Sequence, residues 1–282
     1  MKIAVLTDST AYLSPELRKK HNIYMIPLSV VFGYDVFQEE LDLSTEQFYQ
    51  KVRNNESLPT TTQPAIGEFE KIFKKLVNEG YDAVISIHLS RKISGTFQAA
   101  VSAGKMVEDL EVHAYDSEIS TMPQGILAIE AAIMAKQNKS STEIISRLDE
   151  LKRSSRAYFM VDDLSHLQRG GRLSGAQALV GSLLKIKPIL HFVDGEIKPF
   201  EKIRTRKKAL QRINSMLEED VKTKGVTRVM FIHANDQTSA IQLQEQFSQK
   251  YPDIETMVSY FGPVIGTHLG EGAVGIAWYT KT

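Results

Sequence analysis

The chain has 282 residues, enough for one large or two medium domains, and its 34 Lys plus Arg balance 34 Asp plus Glu for a formal net charge of zero. A balanced chain has no global basic field to draw nucleic acid, so any phosphate or carboxylate site must be local. Cysteine is absent, which excludes disulfides, thiolate chemistry and sulfur-ligated metals, and no run of about 18 apolar residues occurs to span a bilayer.

Ile3 to Leu6 reads as a first strand, too short for a signal peptide, so a cytoplasmic protein that meets lipid one molecule at a time is expected. The strand ends in Thr7-Asp8-Ser9-Thr10, and Ser14-Pro15-Glu16, a cap followed by proline in the first turn, announces a helix. Tyr24 to Val31 reads as another strand. Ser44 to Gln47 is a capping box opening a helix to about Arg53, and Asn54 to Pro59 is a loop leading to Thr60-Thr61-Thr62-Gln63-Pro64. That hydroxyl cluster precedes a helix with apolar positions Ile66, Phe69, Phe73, Leu76 and Val77, stopped by Gly80. Ala83 to Ile87 is a buried-strand pattern that gives way to Ser90, then Ser94-Gly95-Thr96, then a helix through Phe97, Ala100, Val101 and Gly104. A fourth strand, Val112 to Tyr115, ends in Asp116-Ser117, and helices follow from Gln124 to Lys136 and from Thr142 to Lys152, the second behind a capping box at Ser140 to Glu143.

Strands alternating with helices imply a mainly parallel sheet, and ligands of such sheets sit beyond the carboxyl ends of the strands. Here those ends carry hydroxyls or carboxylates: Asp8-Ser9, Ser90 with Ser94, and Asp116-Ser117. Helix starts with hydroxyls at two places suggest one shared acidic ligand held partly by free backbone amides. The competing reading is ordinary N-capping, which accounts for most Ser and Thr before helices.

After Ser154-Ser155 the texture changes, and we place the domain boundary there, giving an α/β domain over 1–155 and a mixed α/β domain over 156–282. Tyr158 to Val161 is a short strand, Gln168-Arg169-Gly170-Gly171-Arg172 a loop, and Val193-Asp194-Gly195-Glu196 a hairpin turn between Ile189 to Phe192 and Ile197 to Phe200. A helix from Thr205 to about Asp220, a strand at Val229 to His233, a helix from Gln237 to Lys250, a strand near Met257 and a Gly-rich terminal segment complete the chain.

Gly270-Glu271-Gly272-Ala273-Val274-Gly275 matches the dinucleotide fingerprint in letters, but no preceding strand or following helix supports it, since Ile276-Ala277-Trp278-Tyr279 reads as a strand. Asp8 at a strand end has the place of an aspartyl phosphatase nucleophile, yet position 10 is Thr, not the partner carboxylate. No P-loop, serine elbow or zinc-protease motif occurs. The seven histidines lack metal-ligand spacing. His268 stands apart because Gly262-Pro263 through Gly270 surround it with small residues that allow close backbone approach. Ile203-Arg204-Thr205-Arg206-Lys207-Lys208 starts a helix with cations, the wrong sign for the helix dipole, which reads either as a solvated charge run or as a docking face to which Arg169 and Arg172 contribute.

Taken together, Thr7-Asp8-Ser9, Thr61-Thr62-Gln63-Pro64, Ser94-Gly95-Thr96, Asp116-Ser117, Gly171-Arg172, Lys187-Pro188 and Gly262-Pro263 through His268 resemble the DegV family, in order and over nearly the whole chain. They are most similar to its fatty-acid-binding members, the lipid-carrying subunits of bacterial fatty-acid kinase; the family pattern usually has Ser where Thr62 stands. The resemblance implies two α/β domains holding a long-chain fatty acid such as palmitate at their junction, with the carboxyl group bound by Thr61 or Thr62, Ser94, Gly95 and His268. It implies no metal, no cofactor and no catalytic residue in this chain, with a separate ATP-binding kinase subunit converting the bound acid to acyl phosphate for phospholipid synthesis. Arg169, Arg172, Arg204 and Arg206 would face that partner. The alternative is a stand-alone hydrolase or phosphatase using Ser94 or Asp8. Apolar residues such as Phe97, Ile126, Leu127, Ile129 and Ile265 could equally line a tunnel or a core.

Overall fold

The computed structural model describes residues 1–55, 57–174 and 187–281. The chain packs into two compact units, Met1–Leu43 with Thr61–Arg153 and Ser44–Thr60 with Ser154–Thr282. The polypeptide thus leaves the first unit at Leu43, returns at Thr61 and leaves again after Arg153, where the sequence reading has a single division.

Strand β1 (Ile3–Asp8) runs into one turn of 3-10 helix and then α1 (Pro15–His21), whose start is capped by Ser14 Oγ accepting from the Leu17 amide at 3.3 Å. Next come β2 (Ile23–Ile26), β3 (Ser29–Phe32) and β4 (Asp35–Gln38). The single strand expected over 24–31 is therefore two, because Pro27 has no N–H to give a ladder. β2 pairs parallel with β1, while β3 pairs antiparallel with β4. The excursion into the second unit carries α2 (Thr45–Asn54), opened by the expected capping box between Ser44 and Gln47.

The first unit resumes with β5 (Thr60–Thr62), α3 (Ile66–Asn78), β6 (Ala83–His88), α4 (Thr96–Gly104), β7 (Glu111–Asp116), α5 (Thr121–Lys136) and α6 (Ser141–Ser154). Its main sheet has the order β2-β1-β6-β7, parallel throughout, beside a three-stranded sheet of order β4-β3-β5. The apolar stripe of α3 (Phe69, Phe73, Leu76) and the alanines of α4 (Ala99, Ala100, Ala103) pack with Ala4, Leu6 and Val84. Thr7, of opposite parity, meets Gln124 on α5 at 3.1 Å. Alternation along β1 therefore puts α3 and α4 on one face and α5 on the other.

In the second unit, β8 (Ser155–Met160), α7 (Ser165–Gly170), β9 (Ile189–Val193), β10 (Glu196–Glu201), α8 (Arg206–Thr223), β11 (Val226–His233), α9 (Gln237–Lys250), β12 (Glu255–Tyr260), α10 (Pro263–Leu269) and β13 (Val274–Thr280) follow in order. The sheet β10-β9-β8-β13-β11-β12 is antiparallel except for its β11–β12 pair. Two segments read as irregular are partly helical. Residues 165–170 form α7, stopped by Gly171 in the left-handed conformation, and the Gly-rich stretch before Gly270 is α10, with Pro263 in its first turn. The dinucleotide-like glycines lie between α10 and the final strand, where no helix follows. Trp278, the only tryptophan, is buried with Ile213, Leu217 and Phe231, and its indole N–H donates to Asp220 Oδ2 at 2.9 Å. Among the described residues, no helix is long and apolar enough to cross a membrane.

The carboxyl ends of β1 and β6 are tied by a buried pair, Asp8 Oδ2 to His88 Nδ1 at 3.0 Å, with both side chains fully inaccessible. Replacing His88 by Ala leaves the Asp8 charge buried with fewer donors and removes the ring that packs edge-on against Phe69. The expected cost is about 3 kcal/mol or more, read as a lowered denaturant midpoint at unchanged slope.

Candidate functional site

The β1–β6 crevice, where the chain switches faces of the parallel sheet, is the usual ligand position in such folds. Here the protein fills it. Asp8 Oδ1 accepts from the Thr10 amide and hydroxyl, and Oδ2 from His88 and the Leu89 amide at 3.0 Å each. His88 Nε2 lies 2.7 Å from Ser86 Oγ. Ser86, His88 and Asp8 have the composition of a hydrolytic triad, but all three are fully buried, so no substrate carbonyl reaches the serine. The same burial removes Asp8 as a nucleophile, since its four acceptor positions are taken.

Sealing the crevice moves the open polar chemistry to the loops beyond it. In β5, Thr60 and Thr62 are exposed and Thr61 is half-buried, so Thr61 and Thr62 point to opposite sides of the strand and only one of them can face a given ligand. The N-cap of α3 is Ala65, with no side-chain cap, so capping does not account for the threonines. At α4 the N-cap is Gly95, again without a side-chain cap, although Ser94 Oγ accepts from the Thr96 amide at 3.3 Å. Ser94 Oγ also lies 2.9 Å from Thr96 Oγ1. With Thr96 donating in that pair, the Ser94 proton is free to donate outward. No histidine in this unit serves Ser94 as a base among the described contacts: His88 is committed to Asp8 and Ser86.

Gln63 was not singled out by the sequence as a site residue, yet its side chain lies against Gly95. A Cβ at Gly95 would fall 2.0 Å from Gln63 Oε1. The glycine is there for this close approach and not for its φ, which is −81°. The only sequence signal was a side-chain amide next to the hydroxyl run.

In the second unit, His268 lies in the last turn of α10 against the C-terminal end of α7. A Cβ at Gly170 would be 2.4 Å from His268 Nδ1. The Arg172 guanidinium donates to the Gly170 carbonyl, and His166 Nδ1 is 3.3 Å from the Thr267 carbonyl. Burial, with Arg172 and His166 adding repulsion, pushes the His268 imidazole down to about 4, so it is neutral near pH 7 and able to donate one N–H. Gly266 admits Phe48 and Tyr49 of α2, and Tyr49 Oη donates to the Phe261 carbonyl at 2.9 Å, which fixes α10 from behind.

The arginines divide. Arg206 is held by Asp236 Oδ2 at 2.8 Å, by Asp162 and by the Gly272 carbonyl, and Arg172 by Gly170. Arg169 and Arg204 are exposed, as are Lys207 and Lys208. Among the described residues, no group of three or more His, Asp or Glu is placed to hold a metal ion.

A family model described as an uncharacterised protein of the DegV family matches residues 2–281. Protein DegV of Bacillus subtilis (strain 168) is 55% identical over 282 residues, 100% of both chains. The crystal structure of DegV, a fatty acid binding protein from Bacillus subtilis, superposes with a TM-score of 0.94 at 54% identity over 100% of each chain. That of a fatty acid binding DegV family protein from Streptococcus agalactiae does so with a TM-score of 0.91 at 31% identity, also over 100% of each chain.

Two outcomes follow from this geometry. Gly95→Ala displaces the flexible end of Gln63, not backbone, so stability should change by less than about 1 kcal/mol while binding of an anionic ligand at the Ser94 loop falls; calorimetric titration and thermal melts together check this. For His268 the unfolded chain binds the proton near pH 6.5 and the folded chain only near 4. The folded state is therefore favoured fully above about pH 6.5 and loses that advantage as pH falls through 4, by about 1–3 kcal/mol. Denaturant melts at pH 7 and 4.5 should show a smaller acid loss in His268→Asn than in the parent.

Proposed function

As the chain belongs to the DegV family, we propose that it binds one long-chain fatty acid such as palmitate. The donors we propose for its carboxyl group are Thr61 or Thr62, Ser94, Gly95 and His268. The observation that carries the reading is the hydroxyl cluster around Ser94, where Ser94 Oγ and Thr96 Oγ1 lie 2.9 Å apart, where among the described contacts no histidine of the first unit serves Ser94 as a base, and where the N-cap of the neighbouring α3 is Ala65 and not a threonine. Those are binding donors without a nucleophile's apparatus.

The energetics suit such a ligand. A sixteen-carbon chain leaving water gains on the order of 10 kcal/mol at roughly 0.8 kcal/mol per methylene, before ordering costs. A desolvated carboxylate needs several donors at once, and each charge-assisted bond contributes about 1.5–3 kcal/mol. We further propose that the chain is not itself an enzyme but presents the carboxyl group, in the cytoplasm, to a separate ATP-binding kinase subunit that forms the acyl phosphate used in phospholipid synthesis. The exposed cations Arg169, Arg204, Lys207 and Lys208 offer that partner a docking face, while Arg172 and Arg206 shape the loops that display it.

Mass spectrometry of freshly purified, denatured protein should release one equivalent of fatty acid. Ser94→Ala and one of Thr61→Val or Thr62→Val, but not both threonine variants, should lower occupancy, and Ser94→Ala with His268→Ala should couple by about 0.5 kcal/mol or more if both serve one head group. A preparation that neither carries nor takes up fatty acid refutes the proposal.

A further inference from the structure

His166 is an imidazole that the proposed carboxyl site does not use. On α7 it stands four residues before Gly170, so the two share a face of the helix. That face meets the end of α10 in a reciprocal fit. The His268 ring lies on Gly170, where a Cβ would fall 2.4 Å from its Nδ1, and the His166 ring lies on Gly270, where a Cβ would fall 3.1 Å from its Cδ2 and Nε2. Each histidine thus rests on a glycine at the end of the helix that carries the other.

The backbone gives His166 a second task. α10 ends one residue after His268, so its last carbonyls have no helical amide ahead of them. The Gly266 carbonyl takes the Gly270 amide at 2.8 Å, but the next carbonyl, that of Thr267, takes no amide from the residues after α10, although Thr267 is 7% exposed. His166 Nδ1 supplies the donor at 3.3 Å. A carbonyl can only accept, so this bond requires the ring proton on Nδ1. The oxygen it holds belongs to the peptide whose nitrogen is that of His268. Because that peptide is planar, holding its oxygen also sets the direction in which the chain enters the His268 Cα.

α7 is a firm support for such a bond, since both its ends are fixed. Asp163 Oδ1 accepts from the Ser165 amide at 2.8 Å at the start. At the finish, the Gly171 and Arg172 amides donate to the Gln168 and Leu167 carbonyls at 3.1 and 3.2 Å, and Leu167 between them is fully buried.

We infer that His166 is the positioning residue of His268: by holding the Thr267–His268 peptide and closing on Gly270, it sets the direction in which His268 presents an N–H to the ligand's carboxyl group. The inference rests on the fatty-acid reading above. His166 itself does not touch the ligand in this account, and its effect passes through His268.

The test is calorimetric titration of the full-length protein, stripped of lipid, with palmitate. Asn at 166 carries an amide N–H at the place of Nδ1, whereas Phe fills the ring volume without a donor. His166→Phe should therefore weaken palmitate about tenfold, while His166→Asn stays within about twofold of the parent. On a His268→Ala background, itself weakened, His166→Phe should cost less than a further twofold or so, because a positioning residue has nothing left to position. Thermal melts of the same variants should not rank with the affinities, since Phe keeps the packing that Asn gives up. A Phe variant that binds like the parent overturns the inference, as do equal losses in Asn and Phe. The same Phe loss with and without His268 overturns it too, and so does parent-like binding by His268→Ala, which also removes His268 from the proposed site. A parent protein that binds no palmitate refutes the fatty-acid reading and this inference with it.

Discussion

The first unit depends on how Asp8 is satisfied. A carboxylate removed from water needs donors on both oxygens, and Asp8 takes two from Thr10, one from His88 and one from the Leu89 amide. Those bonds fix the ends of β1 and β6 against each other at the point where the sheet's connections change faces. Having filled the natural crevice with its own acid, the protein directs the next residues of both strands outward. The Ser90–Ser94 turn, held by Ser90 to Ile119 and by Ser94 to Ser90, inherits its position from that closure. Geometry that elsewhere supports hydrolysis is spent on architecture.

The donors proposed for the carboxyl group in this unit, the Ser94 and threonine hydroxyls and the Gly95 amide, are neutral, which matters for what they can do to an acid. A hydroxyl or an amide N–H stabilises a carboxylate by a directed bond without the full Coulombic pairing of a guanidinium. In the proposed function that distinction is useful, because an oxygen paired bidentately with arginine is a poorer nucleophile toward phosphorus than one accepting a single hydroxyl proton. Arg172 fits the same logic: it gives its guanidinium to the Gly170 carbonyl, and its charge adds to the burial that keeps the His268 imidazole neutral.

Much of this was legible in the residues. Capping boxes at Ser44 and Ser140, the Asp194-Gly195 hairpin and the alternation of apolar runs with 3.6-residue stripes gave the elements, because each is a local rule expressed within a few positions. What was not legible depends on partners distant in sequence. Nothing in residues 44–60 announces that Phe48 and Tyr49 pack on Gly266, and no pattern distinguishes Asp8 the buried acceptor from Asp8 the exposed nucleophile. Pro27 was visible but read through, and the difference between one strand and two followed. Among candidate site residues, Ser94, Gly95 and the threonines stood out by composition, while Gln63 gained its importance only from the missing Cβ of Gly95.

The cations at the start of α8 show what composition alone leaves out. Placed against the helix dipole, they invite an external explanation. Arg206 does not need one: Asp162, Asp236 and the Gly272 carbonyl surround it, and a Cβ at Gly272 would lie 2.5 Å from Asp162 Oδ2, so the glycine, the acid and the arginine form one internal clamp. That clamp anchors the first turn, with Thr205 Oγ1 accepting from the Lys208 amide. The unfavourable dipole term, typically a few tenths to 1 kcal/mol per exposed charge, then falls on Lys207 and Lys208 alone. They and Arg204 are exposed, and the anchored turn holds them in one place, so the internal ion pair and the outward cations are two parts of a single surface.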